Sequence, residues 1–362
     1  MLDTEFWKGK KVLVTGDTGF KGSWLCLWLN HLGAEVWGYS CAPPWTRPCL
    51  YNLTNVGKVI GHRDGDVVRF SGVAEVMKDF QPEIVFHLAA QAIIWKAYED
   101  PMNTFRTNVM GTVNVLEAVR STPPVKALVC VTSDKCYENA EWEWGYREND
   151  RLGGDDPYAA SKACAEMAIN AYQKSYFSKG GVRVASARAG NVVGGGDWAP
   201  DRLVPDIVRA LSRGETIVIR HPESTRPWQH VLDPLYGYIL LAQELHTPTR
   251  SKLGFPTSFN FGPGEANLHT VEDVVREAKY LWGGGEVAPD TSHSKDFHEN
   301  KFLGLDSTRA RQWLGWRARL SFEKTISWTI LWYKQVLEEG GDARNTCLTQ
   351  IEEYMNIFGN GG

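Results

Sequence analysis

The chain has 362 residues, 43% hydrophobic and 23% charged, a globular composition with room for one large domain or two ordinary ones. Its formal net charge of −4 gives no electrostatic ground for binding nucleic acid or an anionic membrane, and no apolar run reaches the length of a bilayer span. The seven cysteines are scattered, odd in number and without a CxxC pair, which argues against a disulfide scaffold or a metal site and for a reduced, cytoplasmic protein.

The opening Met1-Leu2-Asp3-Thr4-Glu5 is acidic and reads as no secretory leader. Short apolar runs then alternate with helical patterns. Strands are expected at residues 11–14, 35–39, 67–70, 84–88, 127–132 and 182–188. Helices are expected at 23–32, 73–80, 103–120 and 158–177. Trp24 and Trp28, four apart, read as helix packing. This alternation predicts an α/β fold, a doubly wound parallel sheet with right-handed crossovers. After Arg188 the texture turns to glycine-rich loops, a short helix at 203–213 and a strand at 216–219. The reading is a Rossmann dinucleotide-binding domain at 1–189, with a returning segment at about 228–265. A smaller α/β substrate-binding domain takes 190–227 and 266–362.

The segment Thr15-Gly16-Asp17-Thr18-Gly19-Phe20-Lys21-Gly22 stands between a buried strand and a helix. Such a turn lets the backbone approach a pyrophosphate, and the helix start offers free N–H groups and a positive dipole end. An acidic residue is expected at the end of the second strand to hold the adenosine ribose. Here that end reads Val36-Trp37-Gly38-Tyr39-Ser40, without a carboxylate. Ser40 or backbone groups are left to hold the ribose. No arginine stands there for a 2′-phosphate, which favours NAD over NADP and predicts loose retention of the cofactor. Asp66 is placed against the adenine or, equally, as a turn cap. Leu88, Ala89 and Ala90 follow the fourth strand, where a sheet meets the middle of a dinucleotide. His87 reads as a packed strand-end histidine.

The fifth strand runs into Ser133-Asp134-Lys135, at the carboxyl edge where parallel sheets bind ligands. Downstream, Tyr158 and Lys162 share one helix face. A nearby ammonium lowers a phenol's pKa and makes it a base for oxidising an alcohol.

These pieces resemble the extended short-chain dehydrogenase/reductases that act on nucleotide sugars. The resemblance rests on the glycine turn, His87-Leu88-Ala89-Ala90, the Ser133 region and Tyr158-x-x-x-Lys162, and it covers most of the chain. Ser133-Asp134-Lys135 is similar to the hydroxyl–Asp–Glu triplet of the 4,6-dehydratases in that family, with lysine in place of glutamate. Gly194-Gly195-Gly196-Asp197-Trp198, with Arg202, Arg226 and His298-Glu299, resembles the members acting on CDP-D-glucose.

The resemblance implies that Tyr158 takes the C4 hydroxyl proton, helped by Lys162 and Ser133. Lys135 removes the C5 proton, and Asp134 protonates the departing C6 hydroxyl. Tyr137, Asn191, Asp197, Trp198, Arg202, Arg226 and His298 are the implied substrate contacts. A homodimer or homotetramer is implied, with dimer contacts from the 103–120 and 158–177 helices. So is a place in building dideoxyhexoses for cell-surface polysaccharide. The rival readings are a nucleotide-sugar 4-epimerase, a 4,6-dehydratase for another nucleotide hexose, and a cofactor-binding regulator without catalysis.

Overall fold

Seven parallel strands form the frame: β1 Lys11–Thr15, β2 Glu35–Ser40, β3 Gly61–Asp64, β4 Ile84–His87, β5 Ala127–Val131, β6 Arg183–Arg188 and β7 Ser258–Asn260. Their order across the sheet is β7-β6-β5-β4-β1-β2-β3. The computed structural model describes residues 2–42, 44–178, 180–248, 255, 257–264, 268–290 and 303–357.

The central strands are buried on both faces, as expected of apolar runs with helices above and below. The helices Phe70–Phe80, Gly111–Arg120 and Pro157–Tyr172 lie on one face, around Val73, Val115 and Ile169. The helices Phe20–His31 and Leu232–His246 lie on the other, in the larger core with Phe86, Val129 and Phe261. The Phe20–His31 helix is buried without a break from Gly22 to Leu29. The C-terminal Ala343–Asn356 helix covers its outer side. Trp28 stacks on Tyr236 at 6.2 Å and meets Tyr354 edge-on at 5.5 Å, while Trp24 donates to the Gly195 carbonyl at 2.9 Å. Both tryptophans are therefore packing residues.

Three expectations about elements need correction. The third strand is Gly61–Asp64, not residues 67–70. It is the polar outer edge of the sheet, where one side faces solvent, so no apolar run marks it. Val67 instead packs on Gly111, where a methyl group would lie 2.7 Å from its side chain. The helix expected at 103–120 is interrupted by a π turn at Arg106–Met110, and the one expected at 158–177 ends in a π turn at Gln173–Phe177. The sheet also gains a seventh strand, β7, paired with β6 from Ser258↔Ser186 to Asn260↔Arg188.

Beyond the sheet, Thr225–Pro227 pairs antiparallel with Leu268–Thr270, and Ile217–Ile219 pairs parallel with Val287–Pro289. The Val271–Trp282 helix starts in a capping box between Thr270 and Asp273. Among the described residues, no helix is long and apolar enough to cross a membrane.

Candidate active site

The glycine turn connects β1 to the Phe20–His31 helix. Gly16 adopts φ +80°, and a Cβ there would sit 2.7 Å from the Ala89 backbone nitrogen. The turn thus lies flush against the end of β4. Gly22 is equally confined, since its Cβ would meet the Gly16 carbonyl at 2.1 Å. Gly19 is the N-cap of the helix, and no side chain caps it. Open backbone N–H groups at a helix start, reached without any Cβ, fit a dinucleotide pyrophosphate.

The carboxylate missing from the end of β2 comes from the turn itself. Asp17 is fully buried, and Ser40 Oγ donates to its Oδ1 at 2.5 Å. His62 Nδ1 lies 2.7 Å from Asp17 Oδ2, and His62 Nε2 lies 3.1 Å from Asp64 Oδ1. The Asp17 hydrogen bond outweighs burial and holds His62 above its ordinary pKa. A methyl group at Gly38 would overlap Asp17, so Gly38 makes the room. Ser40 also receives the Thr18 N–H at 3.4 Å.

Asp66 accepts the Val68 N–H at 2.9 Å as a turn bond, and its carbonyl takes the Tyr39 hydroxyl at 3.3 Å. His87 is a packed strand-end histidine, 2.8 Å from Thr15 Oγ1 and 3.1 Å from Thr112 Oγ1. Burial, with Lys162 adding to it, pushes His87 down to about 3 and keeps it neutral.

The chemical groups gather at the carboxyl ends of β5 and β6. Pro157 opens the Pro157–Tyr172 helix, and the Asp156 carboxylate caps it through the Tyr158 and Ala159 N–H groups at 2.8 and 2.9 Å. That cap sets the phenol of Tyr158 beside the β5 end, close enough for the Ser133 hydroxyl to lower its pKa. Ser133 Oγ also donates to Asp134 Oδ1 at 3.0 Å. Asp134 is buried against the backbone of Gly190, where any Cβ would collide with its carboxylate. Lys162 Nζ reaches the Val131 carbonyl at 3.4 Å.

Electrostatics modify the sequence reading here. Burial pushes the Tyr158 phenol up to about 12; the Ser133 bond pulls it back, Asp134 raises it and Arg202 lowers it. Burial also brings Lys162 down to about 8, against the opposing pull of Glu166. Lys21, on the glycine turn, is lowered to about 8 by burial and by Arg202, with Asp134 and Asp197 opposing. Lys21 and Arg202 therefore stand within electrostatic reach of Asp134, Tyr158 and Lys162. Arg202 Nη1 pairs with Asp197 Oδ2 at 2.9 Å.

Lys135 is half-buried and lines a shallow cleft with Tyr98, Tyr137, Asn139, Asp155 and Leu303. The hydroxyl of Tyr137 points into the protein, donating to Asn260 Oδ1 and accepting from Arg188, each at 2.7 Å. Trp198 is buried edge-on to Tyr333 at 5.2 Å. Asn191 holds a left-handed φ of +49° and accepts the Gln229 N–H through its carbonyl. Arg226 lies in the short Thr225–Pro227 strand and donates to the Thr225 carbonyl at 2.9 Å. His298 and Glu299 lie outside the described residues.

Ser133, Asp134, Tyr158, Lys162, Lys21, Asp197 and Arg202 are thus brought together. Tyr39, Asp66 and Arg226 have their described bonds elsewhere. Sequence reasoning missed His62, which nothing local marks. It also missed Glu166 and Arg188, a buried ion pair at 2.6 Å under the site. Glu166 stood four residues beyond Lys162 on the same face, and Arg188 was a charge closing an apolar strand.

Comparison with known proteins identifies the family. A CDP-glucose 4,6-dehydratase of Salmonella typhimurium is 44% identical over 363 residues, 98% of this chain and 99% of that one. A Thermus thermophilus UDP-glucose 4-epimerase in complex with NAD superposes with a TM-score of 0.75 at 26% identity, covering 89% of this chain and 98% of its own. A Bacillus anthracis dTDP-glucose 4,6-dehydratase in complex with NAD shares the fold with a TM-score of 0.75 at 22% identity, covering 92% and 99%. The family described as GDP-mannose 4,6 dehydratase matches residues 13–329, and the chain belongs to it, among the extended short-chain dehydrogenase/reductases.

Proposed function

We propose that the protein is an NAD-dependent hydro-lyase that converts CDP-D-glucose to CDP-4-dehydro-6-deoxy-D-glucose and water. The observation carrying this reading is the Ser133-Asp134-Lys135 triplet at the β5 end, beside Tyr158 on the helix that bears Lys162. The CDP-sugar assignment rests on the 44% identical relative. Bound NAD supplies a positive ring, the acceptor for the C4 hydride and its donor to C6.

Tyr158 takes the proton of the C4 hydroxyl, and the Lys162 ammonium stabilises the phenolate. The C4 ketone acidifies C5, and Lys135 takes that proton from the cleft side. Asp134 protonates the C6 hydroxyl as it leaves as water. Lys135 then returns its proton to C5. The remaining proton moves through Ser133, whose hydroxyl bonds Asp134 and stands beside Tyr158. The proton gained by the phenol replaces the one given by the carboxyl, so the balance closes within the site. Lys21 and Arg202 supply positive charge for the phosphates. Asn191, Trp198, Asp197, Arg226 and His298 complete the proposed sugar-nucleotide contacts. The unit at 1–189 with 228–265 holds the cofactor, and 190–227 with 266–362 holds the nucleotide sugar. The helix 232–246 and strand β7 support the first assignment by packing on the sheet.

Substrate carrying deuterium at C4 tests the reaction. The label should appear at C6 of the product, as mass spectrometry and proton NMR would show. Its return to C4 with inverted configuration would instead identify a 4-epimerase. Turnover of dTDP-, UDP- or GDP-glucose in preference to the CDP sugar would overturn the substrate assignment alone.

The oligomer reading has its own support. The helices that carry Met102, Met110, Met167 and Tyr176 leave these side chains 81%, 49%, 52% and 53% exposed, an apolar surface suited to a second copy. Light scattering of the wild type should give at least twice the chain mass, and Met102→Asp should shift it toward the monomer. A monomeric wild type ends this assignment. We place the enzyme in the cytoplasm, where exposed Cys41 stays reduced. There its product would feed dideoxyhexose synthesis.

A further inference from the structure

The helix that bears Tyr158 and Lys162 makes a second contact with the β5 end, one turn further on. Glu166 is 4% exposed and receives three hydrogen-bond donors. Thr132 Oγ1 donates to its Oε1 at 2.5 Å, Ser186 Oγ to its Oε2 at 2.8 Å, and Arg188 Nη2 to the same oxygen at 2.6 Å. Lys162 and Glu166, four apart on one face, therefore hold the successive residues Val131 and Thr132, directly before Ser133. Burial opposes the Glu166 charge, but Arg188 and the hydrogen bonds outweigh it and hold the carboxyl below its ordinary range. A buried ion pair of this kind is weak evidence for stability, so its value lies elsewhere.

The groups facing Lys162 identify that value. They are Glu166 on its own helix, Cys130 on β5, Cys136 on the following loop, His87 on β4 and Lys21 on the glycine turn. Burial pushes both thiols far up, and His87 is neutral. Lys21 is a second cation and works against Lys162. Among these groups only Glu166 is negative at neutral pH, and Arg188 on β6, paired with it at 2.6 Å, offsets part of its charge.

We infer that Glu166 is a positioning residue for the reaction, keeping the Lys162 ammonium charged and anchoring the strand end that presents Ser133. This assignment rests on the dehydratase reading and deepens it. Lys162 acts as a cation, so activity falls as pH rises through its pKa, and the alkaline limb of the pH profile reports it. Without the Glu166 charge that limb moves to lower pH.

The test uses CDP-6-deoxyglucose, which can be oxidised at C4 but has no C6 hydroxyl to expel. The absorbance of reduced cofactor then follows C4 oxidation alone, across a pH series. Glu166→Gln should bring the alkaline limb down by roughly one pH unit. The double variant Glu166→Gln/Arg188→Gln leaves no unpaired charge, keeps the fold if the single variant does not, and should show a smaller displacement in the same direction, since the Arg188 charge leaves with that of Glu166. Thr132→Val removes a hydrogen bond but not the charge, and its limb should stay with the wild type. Uniform loss of rate at every pH in both Glu166 variants, with the limb unmoved, would make Glu166 purely structural and overturn the inference. A wild type that never reduces the cofactor with this analogue would overturn the dehydratase reading and this inference with it.

Discussion

Tyr158→Phe should lose about 10³-fold in C4 oxidation, the middle of the range for removing a positioned acid–base group. Only one oxygen is deleted. The Asp156 cap contacts the backbone of residue 158, so the helix start is untouched. The ring stays buried in the same place, and circular dichroism and NAD binding should match the wild type. The loss belongs to chemistry: without the phenol, no group on the Ser133 side can accept the C4 hydroxyl proton. Transient reduced-cofactor absorbance with CDP-D-glucose is the direct measure. A variant oxidising within about tenfold of the wild type would remove Tyr158 as the base and, with it, the relay through Ser133 to Asp134.

Lys135→Ala should separate two steps that Tyr158→Phe abolishes together. C4 oxidation should continue, because Tyr158, Ser133 and Lys162 are intact. Removal of the C5 proton should fall by 10²- to 10⁴-fold, roughly the value of a general base. Reduced cofactor and the 4-keto hexose should then accumulate, and exchange of the C5 hydrogen with deuterated solvent should stop. Lys135 lines the open cleft and its backbone N–H bonds Ser133 Oγ at 3.2 Å, so truncating its side chain leaves the loop's anchor in place. Normal C5 exchange in this variant would assign the base elsewhere, with Asp155, Asp156 and Tyr98 among the other ionisable groups of the cleft.

What the residues announced in advance were local features. The glycine turn is contiguous with its strand and helix, and its meaning depends on backbone freedom at Gly16 and Gly22. Tyr158 and Lys162 stand one helical turn apart, so periodicity alone puts them on one face. The doubly wound sheet was legible because buried parallel strands are apolar runs between amphipathic segments. That same signal failed at β3, whose Gly61-His62-Arg63-Asp64 is a polar edge.

Packing supplied the rest, since it joins residues by register across strands rather than by order along the chain. Asp17 serves the end of β2 only because β1, β2 and β3 lie side by side and Gly38 leaves room for its carboxylate. Glu166 meets Arg188 only because the Pro157–Tyr172 helix crosses β5 and β6 at their carboxyl ends. The upward push on the Tyr158 phenol likewise comes from burial, which spacing along the chain does not reveal.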